Sequence, residues 1–282
     1  MNQIRPCNPF NNVVASGVAN CDLNSLLGTT LEAINLSLGG TFTKAMITLI
    51  QLKANGKVIW ESSGTNTDLL ENFKSYATAD ATKLTINFME NTPRVKSINA
   101  FQSGALDLSP ESGITNLRLE VTIAGATSPT LSAVAEVSPA IDIPSERAIR
   151  FLICRKARVQ QTIGAAGTFA LQVPHIDPAG GGGVYKRIAV FSANMTAFKV
   201  NREGITEYDV TKAENEWIQK KAGRAPQTNL VVFDPILDGL QSGRAWDTRP
   251  ASGVRSASIL GTFSAGETIT IEIEELLPLG AY

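Results

Sequence analysis

One histidine occurs in the sequence, and its neighbours offer little for catalysis. His175 lies between two prolines in the run VPHIDP at residues 173–178. A hydrolase would pair this imidazole with a carboxylate and an activated serine, and the sequence has no Gly-x-Ser-x-Gly turn to hold such a serine. We therefore interpret His175 as a loop residue with structural hydrogen bonds, and we predict that the protein is not an enzyme.

Acidic side chains could serve acid/base chemistry or bind a divalent cation. Near the C-terminus Glu272 and Glu274 alternate with isoleucines, and Glu275 follows them. Because alternate residues of a strand share a face, Glu272 and Glu274 are predicted to point together into solvent. Asp107 and Asp247 stand in similar loops, each followed by Pro and then by Ser-Gly, and we interpret both as turn formers.

A glycine run raises the question of phosphate binding. Four glycines at residues 180–183 precede Tyr185, Lys186 and Arg187. A phosphate-binding loop needs Gly-Lys-Ser/Thr leading into a helix whose N-terminus faces the anion. Here the residues that follow, 188–191, read IAVF and are typical of a strand, so we predict a loop between strands.

The densest group of cations in the chain follows its midpoint and comprises Arg147, Arg150, Arg155, Lys156 and Arg158. These side chains could face lipid headgroups or genomic nucleic acid, where each cation near an anionic surface contributes on the order of 1 kcal/mol. They could instead guard an exposed strand edge against wrong pairing. Both interpretations stay open, and edge protection is favoured.

Composition excludes several classes of function. The 282 residues carry 25 Lys and Arg against 26 Asp and Glu, so the net charge of −1 leaves no global basic field for nucleic acid. Aromatic residues, at 6%, are too few for platforms that stack single-stranded bases. We therefore predict no sequence-specific nucleic acid binding. Cys7, Cys21 and Cys154 lie too far apart for a disulfide framework or a structural zinc site.

Targeting signals are not evident in the sequence. No apolar stretch reaches the ~20 residues of a membrane-spanning helix. The N-terminal charge of Arg5 is not followed by the apolar segment of a secretory signal. We expect synthesis in the cytoplasm of the cell that makes the protein.

The secondary structure that positions these side chains can be predicted from the sequence. Its main pattern is an alternation of apolar and polar residues. Residues 84–88, 117–123 and 269–274 alternate in this way, which is typical of strands with one wet face. Asn55-Gly56 separates two such runs and predicts a hairpin with a primed turn. Most of the chain is therefore predicted to be antiparallel sheet.

Two short segments have helical spacing instead. The first covers residues 68–76. The second, at residues 212–221, begins with the capping box Thr-Lys-Ala-Glu and would bury an apolar stripe of Ala213, Trp217 and Ile218. Helices of two to three turns are too short to form the crossover layer of a parallel α/β protein.

The order of these elements repeats along the chain. Residues 105–113, ALDLSPESG, match residues 245–253, AWDTRPASG, at five positions and at a distance of 140 residues. The hairpin glycines Gly56 and Gly204 are 148 residues apart. Each half reads strand, hairpin, helix, strand, Asp-x-x-Pro-x-Ser-Gly loop and strand, so the sequence predicts two copies of one fold.

We predict an all-β chain of two tandem, eight-stranded antiparallel jelly rolls, each with a short helix in a loop. The first jelly roll would cover residues 13–140 and the second residues 141–282, and prolines at 139 and 144 would mark the linker between them. Residues 1–12, rich in Asn and Pro, are predicted to form an N-terminal arm with little reason to join a sheet.

Four segments of the first half resemble the corticovirus-type major capsid proteins: residues 11–17 (NNVVASG), 28–36 (GTTLEAINL), 67–72 (TDLLEN) and 131–136 (LSAVAE). The resemblance covers residues 10–140 best and is thin beyond them. It implies a double jelly-roll coat protein of a tailless, membrane-containing icosahedral bacteriophage, located in the virion.

The same resemblance implies partners. Three copies would form a homotrimer with six jelly rolls, a pseudo-hexagonal capsomer that contacts neighbouring capsomers, penton or spike proteins and minor capsid proteins. An internal viral membrane and a structural divalent cation such as calcium are compatible with it, and no other cofactor is expected. The carboxylates named above are the candidates for a cation.

An alternative function is a tandem β-sandwich binding module, such as a phage spike or a carbohydrate- or receptor-binding protein. Such a module would present a concave aromatic platform. With three Trp and four Tyr spread along the chain, this alternative is disfavoured.

Overall fold

The computed structural model of the chain describes residues 3–75, 80–90, 104–140, 152–237 and 244–278. The chain forms two compact units: unit 1 comprises Met1–Lys156 with Pro278–Tyr282, and unit 2 comprises Ala157–Leu277. The predicted linker falls partly outside the described residues, and the predicted boundary at residue 140 stays a prediction.

Unit 1 contains nine strands and one α-helix among its described residues: β1 (Gln3–Pro6), β2 (Gly17–Asp22), β3 (Thr29–Gly39), β4 (Ile47–Ala54), β5 (Lys57–Ser62), α1 (Gly64–Lys74), β6 (Lys83–Asn87), β7 (Leu106–Asp107), β8 (Leu117–Ile123) and β9 (Thr130–Pro139). One sheet has the order β1-β9-β3-β6, with the two-residue strand β7 also beside β3. The second sheet has the order β5-β4-β8-β2. Apolar residues from both sheets form one core.

The next nine strands begin with β10 (Leu152–Ile163), which runs from unit 1 into unit 2. They continue with β11 (Gly167–Ala170), β12 (Val184–Phe191), β13 (Met195–Arg202), β14 (Ile205–Thr211), α2 (Lys212–Lys221), β15 (Leu230–Phe233), β16 (Trp246–Asp247), β17 (Ala257–Phe263) and β18 (Glu267–Pro278). Here β10, β18, β12 and β15 are neighbours in that order, with β16 beside β12. The other sheet has the order β14-β13-β17-β11.

Every pairing among strands β1 to β9 recurs nine strands later. Thus β1-β9-β3-β6 becomes β10-β18-β12-β15, and β5-β4-β8-β2 becomes β14-β13-β17-β11. Even an irregularity of register recurs, between Leu31 and Ala33 on β3 and between Tyr185 and Arg187 on β12. The predicted tandem repeat of eight main strands and one short helix is confirmed, and each copy adds one two-residue strand.

The hairpin turn that links β4 to β5 has the predicted primed geometry, and the turn that links β13 to β14 has the same geometry. Asn55 and Gly56 have φ angles of 50° and 82°, and Glu203 and Gly204 have 54° and 72°. Two consecutive positive φ angles define the type I′ turn, which matches the twist of the flanking strands. Glycine at the second position lowers the cost of this conformation in both units.

The first residue of each turn also ties down a distant loop. In unit 1 the Asn55 side chain accepts a hydrogen bond from the backbone N–H of Thr115 at 2.9 Å. In unit 2 the Glu203 carboxylate accepts hydrogen bonds from the backbone N–H groups of Arg255 and Ser256, the latter at 2.8 Å. An amide and a carboxylate thus perform the same task at equivalent positions.

Helix α1 begins earlier than the predicted segment 68–76, because Ser63 caps it by accepting a hydrogen bond from the backbone N–H of Asn66. Leu70 and Phe73 lie on the buried face of this helix. Residue 76 lies outside the described residues. No helix in the described part of the chain is long and apolar enough to cross a membrane.

Helix α2 has the predicted bounds and the predicted capping box, in which Thr211 and Glu214 bond each other's backbone. The predicted apolar stripe is wrong. The buried residues are Asn215 and Gln219, whose side-chain amides donate to the carbonyl oxygen of Val232 at 3.0 and 2.7 Å. Trp217 is 64% exposed. The helix lies over a backbone carbonyl of β15 that needs a donor, and amide side chains supply it.

The N-terminal residues differ from the predicted free arm. Gln3–Pro6 forms β1, antiparallel to β9, with Ile4 opposite Glu136. Cys7 extends the pairing, since its backbone N–H donates to the carbonyl of Ala133 at 3.0 Å. The outer edge of β9 offers unpaired backbone groups, and a proline at the end of an edge strand does not prevent their pairing.

Candidate functional site

The C-terminal carboxylates are buried, which corrects the prediction of a solvated strand face. Glu272, Glu274 and Glu275 are 1%, 5% and 3% exposed on β18. Alternation placed the isoleucines of β18 in the core correctly. It could not show that the opposite face of the strand is also removed from solvent.

Opposite β18, Arg187 of β12 is fully buried. Its Nη1 donates to Glu274 Oε2 at 2.6 Å, and its Nη2 lies 3.3 Å from Asp234 Oδ2. Asp234 also accepts a hydrogen bond from Arg224 Nε at 3.1 Å. We call these four residues the charge cluster. Each cation of the cluster lies beside an anion, and such pairing is what allows charges to remain buried.

Sequence reasoning missed this cluster. In the sequence analysis Arg187 was considered only as part of a candidate phosphate loop. Asp234 and Arg224 were not considered as site residues. The sequence did contain one signal for a buried ion pair. A cation, Arg187, precedes the apolar part of β12, and the glutamate-rich strand β18 belongs to the same repeat. Without the register that places Arg187 opposite Glu274, that signal does not identify the pair.

The glycine run is a loop between strands, as predicted. The Asp177 carboxylate accepts a hydrogen bond from the backbone N–H of Ala179 at 2.9 Å and starts a single 3₁₀ turn, and β12 follows instead of a helix. Gly182 has a φ of 65°, and a Cβ there would lie 2.4 Å from the carbonyl oxygen of Thr248. The glycine is needed for close packing.

His175 is half-exposed, and its Nδ1 lies 3.6 Å from Glu275 Oε1. Its φ of 59° places it in the left-handed region, as in a tight turn. This geometry fits the predicted loop residue.

The basic stretch does not form one outward-facing row. Arg155 and Arg158 are half-buried, and Arg147 and Arg150 lie outside the described residues. Lys156 is only 2% exposed, and its Nζ lies 4.8 Å from the centroid of the Trp60 ring. At this distance the ammonium group is attracted by the face of the indole.

Both loop aspartates form turns, as predicted. Asp107 Oδ1 accepts from the backbone N–H of Ser109 at 3.0 Å. Asp247 Oδ1 accepts from the backbone N–H of Arg249 at 2.9 Å, and its Oδ2 accepts from Ser252 Oγ at 2.6 Å. Partial burial raises the pKa of Asp247, but hydrogen bonds from Arg249 and Ser252 outweigh it and lower that pKa to about 2. Each turn ends at the predicted glycine, in left-handed conformation.

These contacts test the candidate cation site. Asp107, Asp247 and Glu274 already accept hydrogen bonds from protein groups. Among the residues that the structure describes, no group of three or more His, Cys, Asp or Glu side chains could hold a metal ion. The described residues of a single chain therefore do not fit the divalent cation that the resemblance allowed.

Two units with the same order of strands, each built from two sheets around one core, define a tandem jelly-roll protein. The model of the viral coat protein P2 N-terminal domain matches residues 4–138, and the model of its C-terminal domain matches residues 153–279. The chain belongs to this family of viral coat proteins. The predicted family is confirmed, and the predicted function, a capsid protein located in the virion, is confirmed at the level of the family.

Solved structures with the same fold come from several viruses. The major capsid protein P2 of bacteriophage PM2 is 19% identical with a TM-score of 0.80, over 98% of this chain and 97% of that one. The STIV major capsid protein is 12% identical with a TM-score of 0.68, over 99% and 97%. The PBCV-1 virus capsid is 10% identical with a TM-score of 0.60, over 98% and 93%.

These similarities confirm the predicted double jelly roll. No relative is found among curated protein sequences.

Proposed function

We propose that this major capsid protein works as a homotrimer, in which three chains contribute six jelly rolls to a pseudo-hexagonal capsomer of an icosahedral shell. The observation that supports the proposal is that all pairings among strands β1 to β9 recur at an offset of nine strands. Three copies of a chain with two similar units present six similar side surfaces, which suits packing with near-sixfold symmetry. The role is geometric, and the chain catalyses no reaction.

The partners follow from this role. Each capsomer would contact its neighbours, penton or spike proteins at the vertices and minor capsid proteins, and the shell would enclose an internal membrane. The charge cluster supports a structural role because its ionic groups are buried and paired with one another. Groups held in this way fix the geometry of a sheet and are not exposed to a substrate.

For the basic stretch we propose edge protection, with binding to an anionic membrane as the competing hypothesis. Lys156 covers Trp60 at the edge of β5 and therefore has a structural role within the chain.

Sedimentation with vesicles of anionic lipid can decide between the two hypotheses. An Arg150→Ala/Arg155→Ala variant should sediment with them as the wild type does, and so should a Lys220→Ala/Lys221→Ala control of equal charge. If only the Arg150→Ala/Arg155→Ala variant fails to sediment with the vesicles at low salt, edge protection is contradicted.

Electron microscopy of material from producing cells tests the capsid role. We expect shells of regular size, and mass spectrometry of the purified shells should identify this chain as their most abundant protein. The binding-module alternative predicts this chain as a minor component. It has little support in unit 2, where Phe198, Tyr208, Phe233 and Trp246 pack against one another within the fold. A minor share of the shell protein would contradict our proposal.

A further inference from the structure

We propose that β1 of one copy pairs with the edge strand β14 of a second copy, in parallel, as the start of β10 pairs with β5 within one chain. The inference rests on the proposed trimer and deepens it, because it names the strands that meet between copies. It follows from the nine-strand repeat together with the state of two sheet edges.

In unit 1 the edge of β5 is covered. β5 is the last strand of the sheet β5-β4-β8-β2, and Lys156 at the start of β10 forms a parallel bridge with Trp60. The side chain of Lys156 lies over the indole ring, and Trp60 is buried. An edge aromatic residue of the core is thereby removed from water.

In unit 2 the strand equivalent to β5 is β14, which ends the sheet β14-β13-β17-β11. Tyr208 takes the place of Trp60, since Trp60 is opposite Leu52 and Tyr208 is opposite Val200. The Tyr208 ring stacks on Phe198, yet the residue stays half-exposed. Most residues of β14 are exposed, and Ile205 is 67% exposed. Among the described strands, β14 has no partner beyond β13.

The repeat also identifies the occupant of this edge. The strand nine positions before β10 is β1, and β1 pairs with β9 as β10 pairs with β18. In the described part of the chain the second edge of β1 is unpaired, and its Ile4 is 74% exposed, the highest value among the exposed large apolar side chains. Open strand edges invite pairing with another chain. Pairing β1 with β14 would close two such edges and cover Ile4 and Tyr208.

Cross-linking between copies tests the pairing. Ile4→Cys is combined with Asp209→Cys on β14, whose side chain is 61% exposed, in a Cys154→Ser background. The matched control combines Ile4→Cys with Thr168→Cys on β11, the opposite edge of the same sheet. Burial raises the pKa of the native thiols Cys7 and Cys21 to about 12 and 11, so both react slowly with a short bismaleimide at neutral pH. The single-cysteine variants measure the remaining background.

The reaction is carried out on a fraction whose mass by light scattering is that of a trimer. We expect bands of two and three chains on a denaturing gel for the Ile4/Asp209 pair, several-fold stronger than for the control pair. Equal yields for both pairs in a verified trimer would overturn the strand pairing and leave the trimer standing. A monomeric mass would overturn the proposed function as well.

Amide hydrogen exchange gives a second measurement that does not depend on cysteine chemistry. Deletion of residues 1–6 should remove protection from amides of β14 in the trimer, while the amides of β11 keep theirs. If β14 exchanges equally in the full chain and in the deletion variant, the pairing is contradicted.

Discussion

The two units share topology and register but differ on the outer face of one sheet. The shared irregularity places Ala33 of β3 at the position of Arg187 on β12, and Glu136 at that of Glu274. In unit 1 the partner of Glu136 is neutral, since the side-chain amide of Asn35 donates to its carboxylate at 2.7 Å. In unit 2 the partner is a buried guanidinium.

The burial patterns of the two strands differ accordingly. Along β9, exposed and buried residues alternate through most of the strand. Along β18, all six residues from position 271 to 276 are buried. The apolar inner face is common to both units and specifies the fold, whereas the outer face tolerates either a wet polar surface or an enclosed charge cluster. The repeat therefore constrains the core more than the surface.

The largest expected effect is at the charge cluster. Arg187→Met leaves Glu274 and Asp234 buried without their shared cation, and breaking a buried pair in this way costs about 3–5 kcal/mol of the free energy of unfolding. Glu136 of unit 1 occupies the position equivalent to Glu274. Glu136→Gln keeps a hydrogen-bonding group and should cost less than about 1 kcal/mol. Urea titration of both variants measures the difference. Similar losses would contradict the distinction between the two faces.

The helices provide a second comparison. Phe73→Ala removes a buried aromatic ring of α1 and should lower the free energy of unfolding by about 3–5 kcal/mol. Trp217→Ala on α2 removes a larger side chain that is mostly exposed and should change the stability of the isolated chain by no more than about 0.5 kcal/mol. Equal costs would mean that Trp217 packs within the chain. Thermal or urea unfolding below the concentration at which copies associate is the suitable measurement.

The helix caps should show a smaller effect. Because α2 buries polar side chains, its first turn depends on the capping box, and Thr211→Ala should cost about 1 kcal/mol. The matched variant Ser63→Ala removes the cap of α1, which Leu70 and Phe73 continue to anchor. Amide exchange should show fraying of the first turn of α2 and less at α1. The reverse order would contradict this account.

The smallest effect is a dependence on pH at Asp247. Its pKa in the folded chain is about 2, below the ordinary value of 3.8. The ionised form is therefore stabilised by folding, and this contribution is present above about pH 4 and is lost as the pH falls toward 2. Asp247→Asn should remove this part of the acid dependence of stability. An unchanged acid profile would show that the hydrogen bonds from Arg249 and Ser252 do not select the ionised form.

The sequence predicted the features that depend on local pattern. Asn55-Gly56, the capping box at Thr211 and the two Pro-x-Ser-Gly turns are each specified within a few residues, and all are present. Alternation placed the apolar side chains of β8 and β18 in the core. The features that the sequence did not predict depend on contacts between different elements of the chain.

Three such features illustrate the limit. The burial of Glu274 depends on Arg187, which is 87 residues away. The polar inner face of α2 depends on one carbonyl of β15. The pairing of β1 depends on the free edge of β9, more than a hundred residues later. Alternation distinguishes the two faces of a strand, but it cannot tell which of them other parts of the chain will cover.

The molar mass of the purified chain tests the central claim most directly. Size-exclusion chromatography with light scattering should give a mass close to three times the 30.0 kDa of one chain. The mass should stay constant over a wide range of protein concentration, as for a stable assembly. A monomer that persists at high concentration would contradict the proposal that two similar units per chain serve to build a six-part capsomer.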